Sequence, residues 1–387
     1  MQKTIRLYEN DSFCRRFTAR VEECAPTRGG WQAVLDRTAF FPEGGGQPCD
    51  LGTLSTGETT VNVLDVHERE GRVVHTLDGA LPAGGQVTGE LDWARRLDAM
   101  EQHTGEHILS GTLHRLYGAE NVGFHIGPDL VRMDMSLPLT AAQLAEAEAE
   151  ANRVIRADRP VVVSYPSREE LAALTYRSKK EIEGQVRLVE MPGADLCACC
   201  GTHLATTGQA GLVKILSAQN YKGGTRLAVA SGGRAFAALA AGHDALLRAS
   251  QMVSAKPLEL PAALERLLAE NAALKAARAG AENHWFEALA AAAEPGRPCV
   301  VFAEGLSGDS LRRLALACFE KGPAFAAAFT ASAQGGMNYA VAAPDARPIA
   351  AALGKAFAGR GGGKPPLCQG SVSTADFAAV ESFLKNL

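Results

Sequence analysis

Apolar residues in the first part of the chain, up to about residue 90, fall into short runs rich in valine, leucine and aromatic residues. The clearest are WQAVLDRTAFF, TTVNVLDV and GRVVHTL, and Glu70-Gly71 separates the last two as a hairpin turn would. Short runs of this kind bounded by turn residues are typical of strands. The pattern predicts a small all-β domain, a barrel or a sandwich, at this end of the chain.

From Arg95 to Tyr117 the apolar residues recur three or four positions apart, which predicts a helix, and Gly118 would end it. Both kinds of element then alternate: a helix over 140–157, a strand PVVVSY, a helix from Ser167, and the strands QVRLVEM, GLVKILSA and TRLAVAS. This succession favours a mixed α+β domain.

After Gly232-Gly233 the chain becomes alanine-rich and helical as far as Ala293. Three leucines recur seven residues apart, and a leucine and an asparagine occupy the neighbouring seam: Leu260, Leu267, Leu274, Leu264 and Asn271. Such spacing predicts a short coiled coil or helical hairpin, in which a buried asparagine can fix the register of paired helices. An ordinary amphipathic helix would carry the same residues.

The remainder, after Pro295 and Pro298, alternates strand-like CVVFAEG, FAAAFTAS and NYAVAAP with helical SLRRLALACFEKG and DFAAVESFLKNL, as a small α/β domain does. We therefore expect an α+β multidomain protein. Its predicted parts are a β-barrel domain at 1–92, an α+β domain at 93–235, a helical or coiled-coil segment at 236–294 and a small α/β domain at 295–387.

Composition narrows the range of functions. With 387 residues, 47% hydrophobic and 21% charged, the chain is globular and long enough for several domains. A net charge of -4 gives no bulk attraction to nucleic acid, so RNA contact would need local basic patches. No apolar run approaches the roughly 18 residues of a membrane span, and the first residues lack an apolar signal core. The nine cysteines, three of them crowded in one predicted loop, suit metal binding in the reducing cytoplasm.

His103 and His107 are four residues apart, a spacing that places both imidazoles on one face of a helix, where they can hold one metal ion. The same spacing also occurs on helices that bind no metal. The segment CACCGTH adds Cys199 four residues before His203, and together the two pairs make a tetrahedral set. Histidine and cysteine ligands favour Zn²⁺ over Mg²⁺ or Ca²⁺, which prefer oxygen.

Several alternatives remain open at this centre. Cys197 and Cys200 form a C-x-x-C pair with an equal right to a metal on spacing alone. Four protein ligands usually mark a closed structural site, so the ion would either organise a pocket or exchange a ligand when substrate arrives.

The sequence disfavours two other classes of metal-dependent enzyme. Zinc proteases carry glutamate directly after the first histidine, where Thr104 stands here. Metal-dependent DHH phosphodiesterases need an Asp-His-His triplet that the sequence lacks.

Three segments, in order, resemble the glycine-rich, HxxxH and CxxxH motifs of one family: LDRTAFFPEGGGQPCDLGTL at 35–54, MEQHTGEHILSG at 100–111 and CCGTH at 199–203. The family is the long-form alanyl-tRNA editing proteins of the AlaX type, related to the editing half of alanyl-tRNA synthetase. NVGFHIG and YKGGTRLAVASGGR resemble intervening segments, and RGGGKPPLCQGS resembles the glycine-rich signature of the DHH-associated C-terminal domain. The second residue of CCGTH departs from the commoner motif, which has glycine there.

The resemblance implies a trans-acting, cytoplasmic hydrolase that removes serine, or glycine, from the 3' end of alanine tRNA. One zinc ion would be held by His103, His107, Cys199 and His203. The predicted α+β domain would be the zinc-binding editing domain, and the last domain the DHH-associated one. Because the glycine-rich motif begins near residue 35, we expect no synthetase activation domain before it.

Three residues of the glycine-rich segment are candidates for catalysis. Backbone amides around Gly45 could approach the terminal adenosine or the substrate carbonyl. Thr38 could hydrogen-bond a serine hydroxyl, and Gln47 could bond the substrate. Each has a structural alternative: a hairpin connection, a strand threonine and a turn cap. His125 could lie near the pocket, but a lone histidine is more often structural.

Basic residues flank the metal motifs and are candidates for contact with tRNA phosphates: Arg95, Arg96, Arg177, Lys179, Lys180, Lys222, Arg226 and Arg234. In the last domain Arg360 and Lys364 bracket three glycines, which would form either a phosphate cradle for the tRNA or a tight structural loop. The seven-residue leucine spacing predicts a homodimer through the helical and C-terminal regions.

Overall fold

The computed structural model describes residues 3–178 and 184–387, which form two compact units, Met1–Leu247 and Arg248–Leu387. Lys179 and Lys180, two of the candidate RNA contacts, lie outside the described residues. Among the helices in the described part of the chain, none combines the length and apolarity needed to cross a bilayer. The protein is a multidomain α+β molecule with a closed six-stranded barrel near its amino-terminal end.

The barrel region contains eight strands and one short helix: β1 (Ile5–Arg6), α1 (Leu7–Asn10), β2 (Arg16–Thr27), β3 (Gly30–Leu35), β4 (Arg37–Thr38), β5 (Gly52–Ser55), β6 (Thr60–Arg69), β7 (Arg72–Leu77) and β8 (Gln86–Leu91). Six of them close in the order β2-β3-β7-β6-β5-β8. Every second residue of β2, β6 and β8 is buried over part of the strand, which is the two-residue period of a strand with one face on a core. Glu70 and Gly71, both at positive φ, form the predicted turn between β6 and β7.

The next region of the first unit combines helices with two small sheets. Its elements are α2 (Trp93–Tyr117), β9 (Asn121–Ile126), β10 (Val131–Met135), α3 (Ala141–Arg156), β11 (Val162–Ser164), α4 (Arg168–Ala173), β12 (Leu188–Met191), β13 (Asp195–Ala198), β14 (Val213–Tyr221), β15 (Gly224–Ser231) and α5 (Gly232–Met252). The sheets have the strand orders β14-β15-β10-β9 and β11-β12-β13, and a 3₁₀ turn spans Thr207–Ala210.

Helix α2 lies at the centre of this region and begins and ends as its sequence predicts. The Asp92 side chain accepts a hydrogen bond from the Arg95 N–H at its start, and Gly118 ends it in the left-handed conformation at φ 67°. Residues on nearly every side of its middle turns are buried, polar ones included. A helix buried on all sides holds its side chains in fixed positions, which suits it to carry a binding site.

The second unit starts within the last turns of α5, and a 3₁₀ turn at Pro257–Glu259 leads to its long helix α6 (Leu260–Ala290). Its other elements are β16 (Cys299–Phe302), α7 (Gly308–Phe319), β17 (Ala326–Ala331), β18 (Met337–Ala342), α8 (Arg347–Ala356), β19 (Arg360–Lys364), β20 (Leu367–Val372) and α9 (Phe377–Lys385). The strands form one mixed sheet in the order β16-β17-β18-β20-β19, in which only β16 and β17 are parallel.

The glycine-rich stretch of this unit is the edge strand β19, so the tight-loop interpretation was wrong, and its contact with phosphate stays a prediction. Gly361 pairs with Gly370 of β20, which in turn pairs with Tyr339 of β18. The buried Tyr339 ring lies over this row, and a Cβ at Gly361 would stand 2.0 Å from its hydroxyl oxygen. Glycine is required here because an aromatic ring occupies the space of a side chain.

The alanine-rich segment forms two helices, α5 and α6, separated by residues 253–259. On α6 the heptad leucines Leu264, Leu267 and Leu274 are between 41% and 63% exposed in the single chain. A coiled coil, like the four-part domain division, therefore stays a prediction.

Candidate metal centre

Four side chains from two distant parts of the sequence converge at one point in the first unit. His103 and His107 of α2 meet Cys199 and His203, and one donor atom of each lies within 4.8 Å of all the others. The Cys199 Sγ is 3.6 Å from His103 Nε2 and 3.4 Å from His203 Nε2. The predicted set of four is thus a compact group of one sulfur and three nitrogen donors that is able to hold a metal ion.

The loop after β13 brings the second pair to the helix. A Cβ at Gly201 would lie 2.1 Å from His103 Cε1, so only glycine allows the loop to pass this close to the imidazole. Thr104 is not one of the four donor residues. Its hydroxyl accepts a hydrogen bond from the Leu204 N–H at 3.1 Å, which fixes the loop just beyond His203.

The structure separates the three neighbouring cysteines. Cys197 lies on strand β13, although the sequence predicted a loop there. Its Sγ is 3.1 Å from the Nδ1 of His107 and 3.9 Å from the Nε2. Cys200 is exposed. Cys199 is therefore the thiol that lies among the imidazoles, which supports its choice as the sulfur ligand.

Two imidazoles are oriented by partners behind them. His103 Nδ1 is 2.7 Å from Gln47 Oε1, and His107 Nδ1 is 2.9 Å from Asp195 Oδ2. Because an amide or carboxylate oxygen can only accept, each Nδ1 carries a proton, which makes Nε2 the nitrogen available to a metal ion. Metal-binding histidines commonly donate their other ring N–H to such an oxygen, so both contacts fit a metal centre.

Charges within the cluster shift its proton equilibria. Burial opposes ionisation of the Cys199 thiol, but the neighbouring His103, His203 and His107 outweigh it and hold the pKa of Cys199 well below its usual value. Burial lowers the pKa of His203 to about 3, so its imidazole is neutral. A thiolate and a neutral imidazole are the forms that bind metal.

The residues present fit a zinc ion. One thiolate and three imidazole nitrogens match the donor type and number of a tetrahedral zinc site, and none of the four donors is a hard oxygen ligand. The carboxylate of Glu106 adds negative charge nearby, with Oε2 3.9 Å from His107 Nε2. Such a cluster would be stabilised by a divalent cation.

The three candidate catalytic residues have different surroundings. Gln47 is fully buried, donates from Nε2 to Thr202 Oγ1 at 2.8 Å and accepts from His103 through Oε1, so it acts on the centre through a ligand. Gly45 stands at the exposed tip of the turn closed by Gly44 and Gln47, and a Cβ there would meet nothing within 4 Å. The space beside Gly45 is open to an approaching molecule.

Thr38 is buried within the barrel, where its hydroxyl oxygen lies 2.9 Å from His75 Nε2 and accepts the Phe40 N–H at 3.1 Å. These two hydrogen bonds join it to barrel residues, not to the four donors. Its role in sensing a serine hydroxyl stays a prediction.

The candidate RNA contacts divide by burial. Arg96 is wholly buried in an ion pair with Asp50, and expecting it to touch phosphate was wrong. Arg177 binds Asp195 behind the metal centre. Arg226 and Arg234 are each paired with a carboxylate, that of Asp134 or Asp98. Arg360 and Lys364, by contrast, are exposed on the edge strand β19, and His125 is exposed on β9.

Sequence reasoning missed Asp195, Arg177 and Asp50 as parts of the site's framework. The sequence offered one indication for Asp195, because it stands on a strand two residues before Cys197, the first of the three neighbouring cysteines. Its pairing with His107, 88 residues away, had none.

Two family models match the chain. A model of class II (A) tRNA synthetases matches residues 3–95, and one of the second additional domain of threonyl and alanyl tRNA synthetases matches residues 186–228. The second match ends before β15 does and contains Cys199 and His203. These regions are thus related to domains of tRNA synthetases.

Similar proteins include the alanyl-tRNA editing protein AlaX-L of Pyrococcus horikoshii, 33% identical over 54% of this chain and 54% of the relative. The alanine–tRNA ligases of Halorubrum lacusprofundi and Pyrococcus abyssi are 34% and 35% identical over 70% of this chain and 30% of theirs. The chain thus spans between about a third and about half of the length of these relatives. The resemblance to AlaX-type alanyl-tRNA editing proteins is confirmed.

Proposed function

We propose that the protein is an aminoacyl-tRNA deacylase that acts in trans on mischarged alanine tRNA and removes serine, or glycine. The observation that carries the proposal is the His103, His107, Cys199 and His203 group, because it joins a metal-binding donor set to a chain related to an alanyl-tRNA editing protein. The activity would serve translation fidelity in the cytoplasm.

Zinc is the proposed cofactor, one ion for each chain, held by these four residues. When bound, it would supply a Lewis acid beside the ester bond. Gln47 and Asp195 hold the Nδ1 atoms of His103 and His107, and would thereby orient both imidazoles as ligands. The backbone around Gly45 would contact the terminal adenosine or the carbonyl, and Thr38 would select for a hydroxyl through the barrel wall.

The proposed partner is the 3' acceptor end of alanine tRNA, with Arg360 and Lys364 of the second unit on its backbone. Arg226 and Arg234 are already paired with Asp134 and Asp98, so each would have to bind a phosphate while it also binds its carboxylate. The exposed heptad leucines of α6 support a second copy of the chain as a further partner, since their seven-residue spacing is that of paired helices.

One observation favours a second candidate function, a tRNA-binding protein whose zinc is structural. All four positions of a tetrahedral shell can be filled by protein side chains, as in structural sites. Such a protein would bind alanine tRNA and leave the ester intact.

The deciding measurement is release of serine from Ser-tRNA(Ala) by zinc-loaded protein, with Ala-tRNA(Ala) as the spared substrate. Cys199→Ala should lose at least about 100-fold in rate because it removes a metal ligand. Cys200→Ala is the matched control, since this neighbouring thiol is exposed and outside the donor group, and it should keep the wild-type rate. Absence of serine release by zinc-loaded wild type that still binds the tRNA would favour the structural-zinc alternative.

A further inference from the structure

The three imidazoles of the donor group are supported unequally from behind. His107 donates its Nδ1 proton to the Asp195 carboxylate, and His103 donates to the neutral amide of Gln47. The Nδ1 of His203 is buried and has no hydrogen-bond partner among the described residues. Only His107 is therefore backed by a full negative charge.

Asp195 is itself held at both oxygens. Arg177 donates from Nε to Oδ1 and from Nη2 to Oδ2, each at 2.7 Å, while only 2% of the Asp195 side chain is exposed. Arg177 Nη2 also donates to Ser110 Oγ at 2.8 Å, and Ser110 is three residues after His107 on α2. The carboxylate is thus fixed relative to the same helix that carries the imidazole it orients.

We propose that Asp195 is a positioning residue of the metal centre, which holds the Nδ1–H of His107, leaves Nε2 as the nitrogen for the metal ion and strengthens it as a ligand. Hydrogen bonds behind a metal-binding imidazole fix the ring and raise its basicity, and their loss typically lowers metal affinity about 10- to 100-fold. The inference rests on the proposed metal centre, and it does not depend on which ester is cleaved.

The same residues could be taken for a second metal group, because the donor atoms of His107, Asp195 and Cys197 also lie within 4.8 Å of one another. The guanidinium of Arg177 argues against this. It already engages both carboxylate oxygens and places a permanent positive charge beside them, which opposes binding of a cation there. The geometry fits an orienting carboxylate better than a ligand.

The test is Co²⁺ titration of the full chain, followed by visible absorption, for wild type, Asp195→Asn and Asp134→Asn. Asparagine keeps the shape and an oxygen acceptor but removes the charge. Co²⁺ affinity should fall about 10- to 100-fold in Asp195→Asn, with a changed absorption spectrum. Asp134→Asn is the matched control because Asp134 is held by Arg226 in the same two-point way, away from the donors, and its affinity should equal that of wild type.

Wild-type Co²⁺ affinity and spectrum in Asp195→Asn would overturn the inference, as would an equal loss in Asp134→Asn, which would show a general effect of breaking an ion pair. If wild type itself binds no Co²⁺, the proposed metal centre fails, a result distinct from the first. Should Asp195→Asn not fold, Arg177→Lys replaces it. Lysine keeps the charge but cannot hold both oxygens, so affinity should fall at least about threefold, and no change would count against Asp195.

Discussion

At the scale of single residues, the barrel core contains a histidine whose protonation is linked to folding. His75 is fully buried, with Nδ1 3.3 Å from the Ala33 carbonyl oxygen and Nε2 2.9 Å from the Thr38 hydroxyl. Nδ1 must donate to the carbonyl, so Nε2 accepts from Thr38, whose oxygen in turn accepts the Phe40 N–H. The hydroxyl proton of Thr38 is donated to His75, so Thr38 could only accept a hydrogen bond from the hydroxyl of a serine substrate.

The pH dependence of barrel stability should report this arrangement. Burial lowers the pKa of His75 from 6.5 to about 4, so the unfolded chain binds the proton more tightly than the folded one. Stability is therefore full above pH 6.5 and falls as the pH drops toward 4. Between pH 7 and 5 the wild type should lose about 2 kcal/mol more than His75→Gln, which has no proton to gain.

Urea unfolding measured by tryptophan fluorescence would check this difference. In a Trp285→Phe background both remaining tryptophans, Trp31 and Trp93, lie in the first unit and report on it. Parallel losses in the two proteins would show that His75 is not protonated on unfolding in this range.

Residue spacing identified the donor group but left Cys197 and Cys200 as alternative thiols, and it could not find the residues that orient the imidazoles. Histidines four apart on a helix, and a cysteine four before a histidine, are local patterns, so His103, His107, Cys199 and His203 were readable. Asp195 and Gln47 reach their imidazoles through tertiary packing, and no local pattern encodes that. Burial of Arg96 was hidden for the same reason, because a buried and an exposed arginine look alike in a sequence.

At the scale of elements, hydrophobic period predicted most helices and strands, and it failed where glycine replaced apolar side chains. Strand β19 consists of Arg360, three glycines and Lys364, so it has no alternation to detect. Its place in the sheet is set by its partner β20 and by Tyr339 two strands away. Local composition predicted a loop there because the apolar group that covers the strand belongs to another element.

A pair of alanine substitutions would separate the two glycines. A Cβ at Gly361 would collide with the Tyr339 hydroxyl, whereas one at Gly362 would meet nothing within 4 Å. We expect Gly361→Ala to lower the free energy of unfolding of the second unit by about 1–3 kcal/mol through overpacking, and Gly362→Ala to change it by less than about 0.5 kcal/mol. Denaturant unfolding followed by Trp285 fluorescence would measure both. Equal effects would mean that Tyr339 does not set the glycine requirement.

The junction between the barrel and α2 depends on one buried arginine. Arg96 forms an ion pair with Asp50 and donates to the carbonyls of Ser12 and Ala39 at 2.8 and 2.6 Å. Removing it leaves the Asp50 carboxylate buried without its counter-charge. Arg96→Ala should therefore cost about 3–5 kcal/mol of unfolding free energy in the first unit.

Arg95→Ala is the matched control for that substitution. Arg95 is the preceding residue of α2, and its side chain donates from Nε to the Cys49 carbonyl at 2.9 Å. The loss should stay near 1 kcal/mol. In the double variant Arg96→Ala, Asp50→Ala the cost should be smaller than in Arg96→Ala alone, and a simple sum of the two single effects would contradict the ion-pair explanation.

At the scale of the whole molecule, helix α6 carries a row of leucines that a single chain leaves exposed. Leu267 and Leu274 are 49% and 63% exposed and one heptad apart. If two copies pair through this row, Leu267→Glu, Leu274→Glu should convert a dimer to a monomer without lowering the stability of either unit. Sedimentation velocity at several concentrations would show it. Lys275→Glu, also exposed on α6, is the charge control and should leave the dimer intact; a wild type that sediments as a monomer throughout would contradict the pairing.

The loop of Gly44 to Gln47, helix α2 and the loop after β13 meet at the donor group although they are far apart along the chain. This separation sets an order of events during synthesis. Both helix histidines leave the ribosome well before the cysteine and last histidine, by roughly 5 to 20 s at usual elongation rates. A nascent chain in that interval offers only a two-histidine site, so secure metal uptake must await the second half of the first unit. The ion would thus be among the last parts of that unit to be installed, and a ribosome that stops in the interval would release a chain unable to retain it.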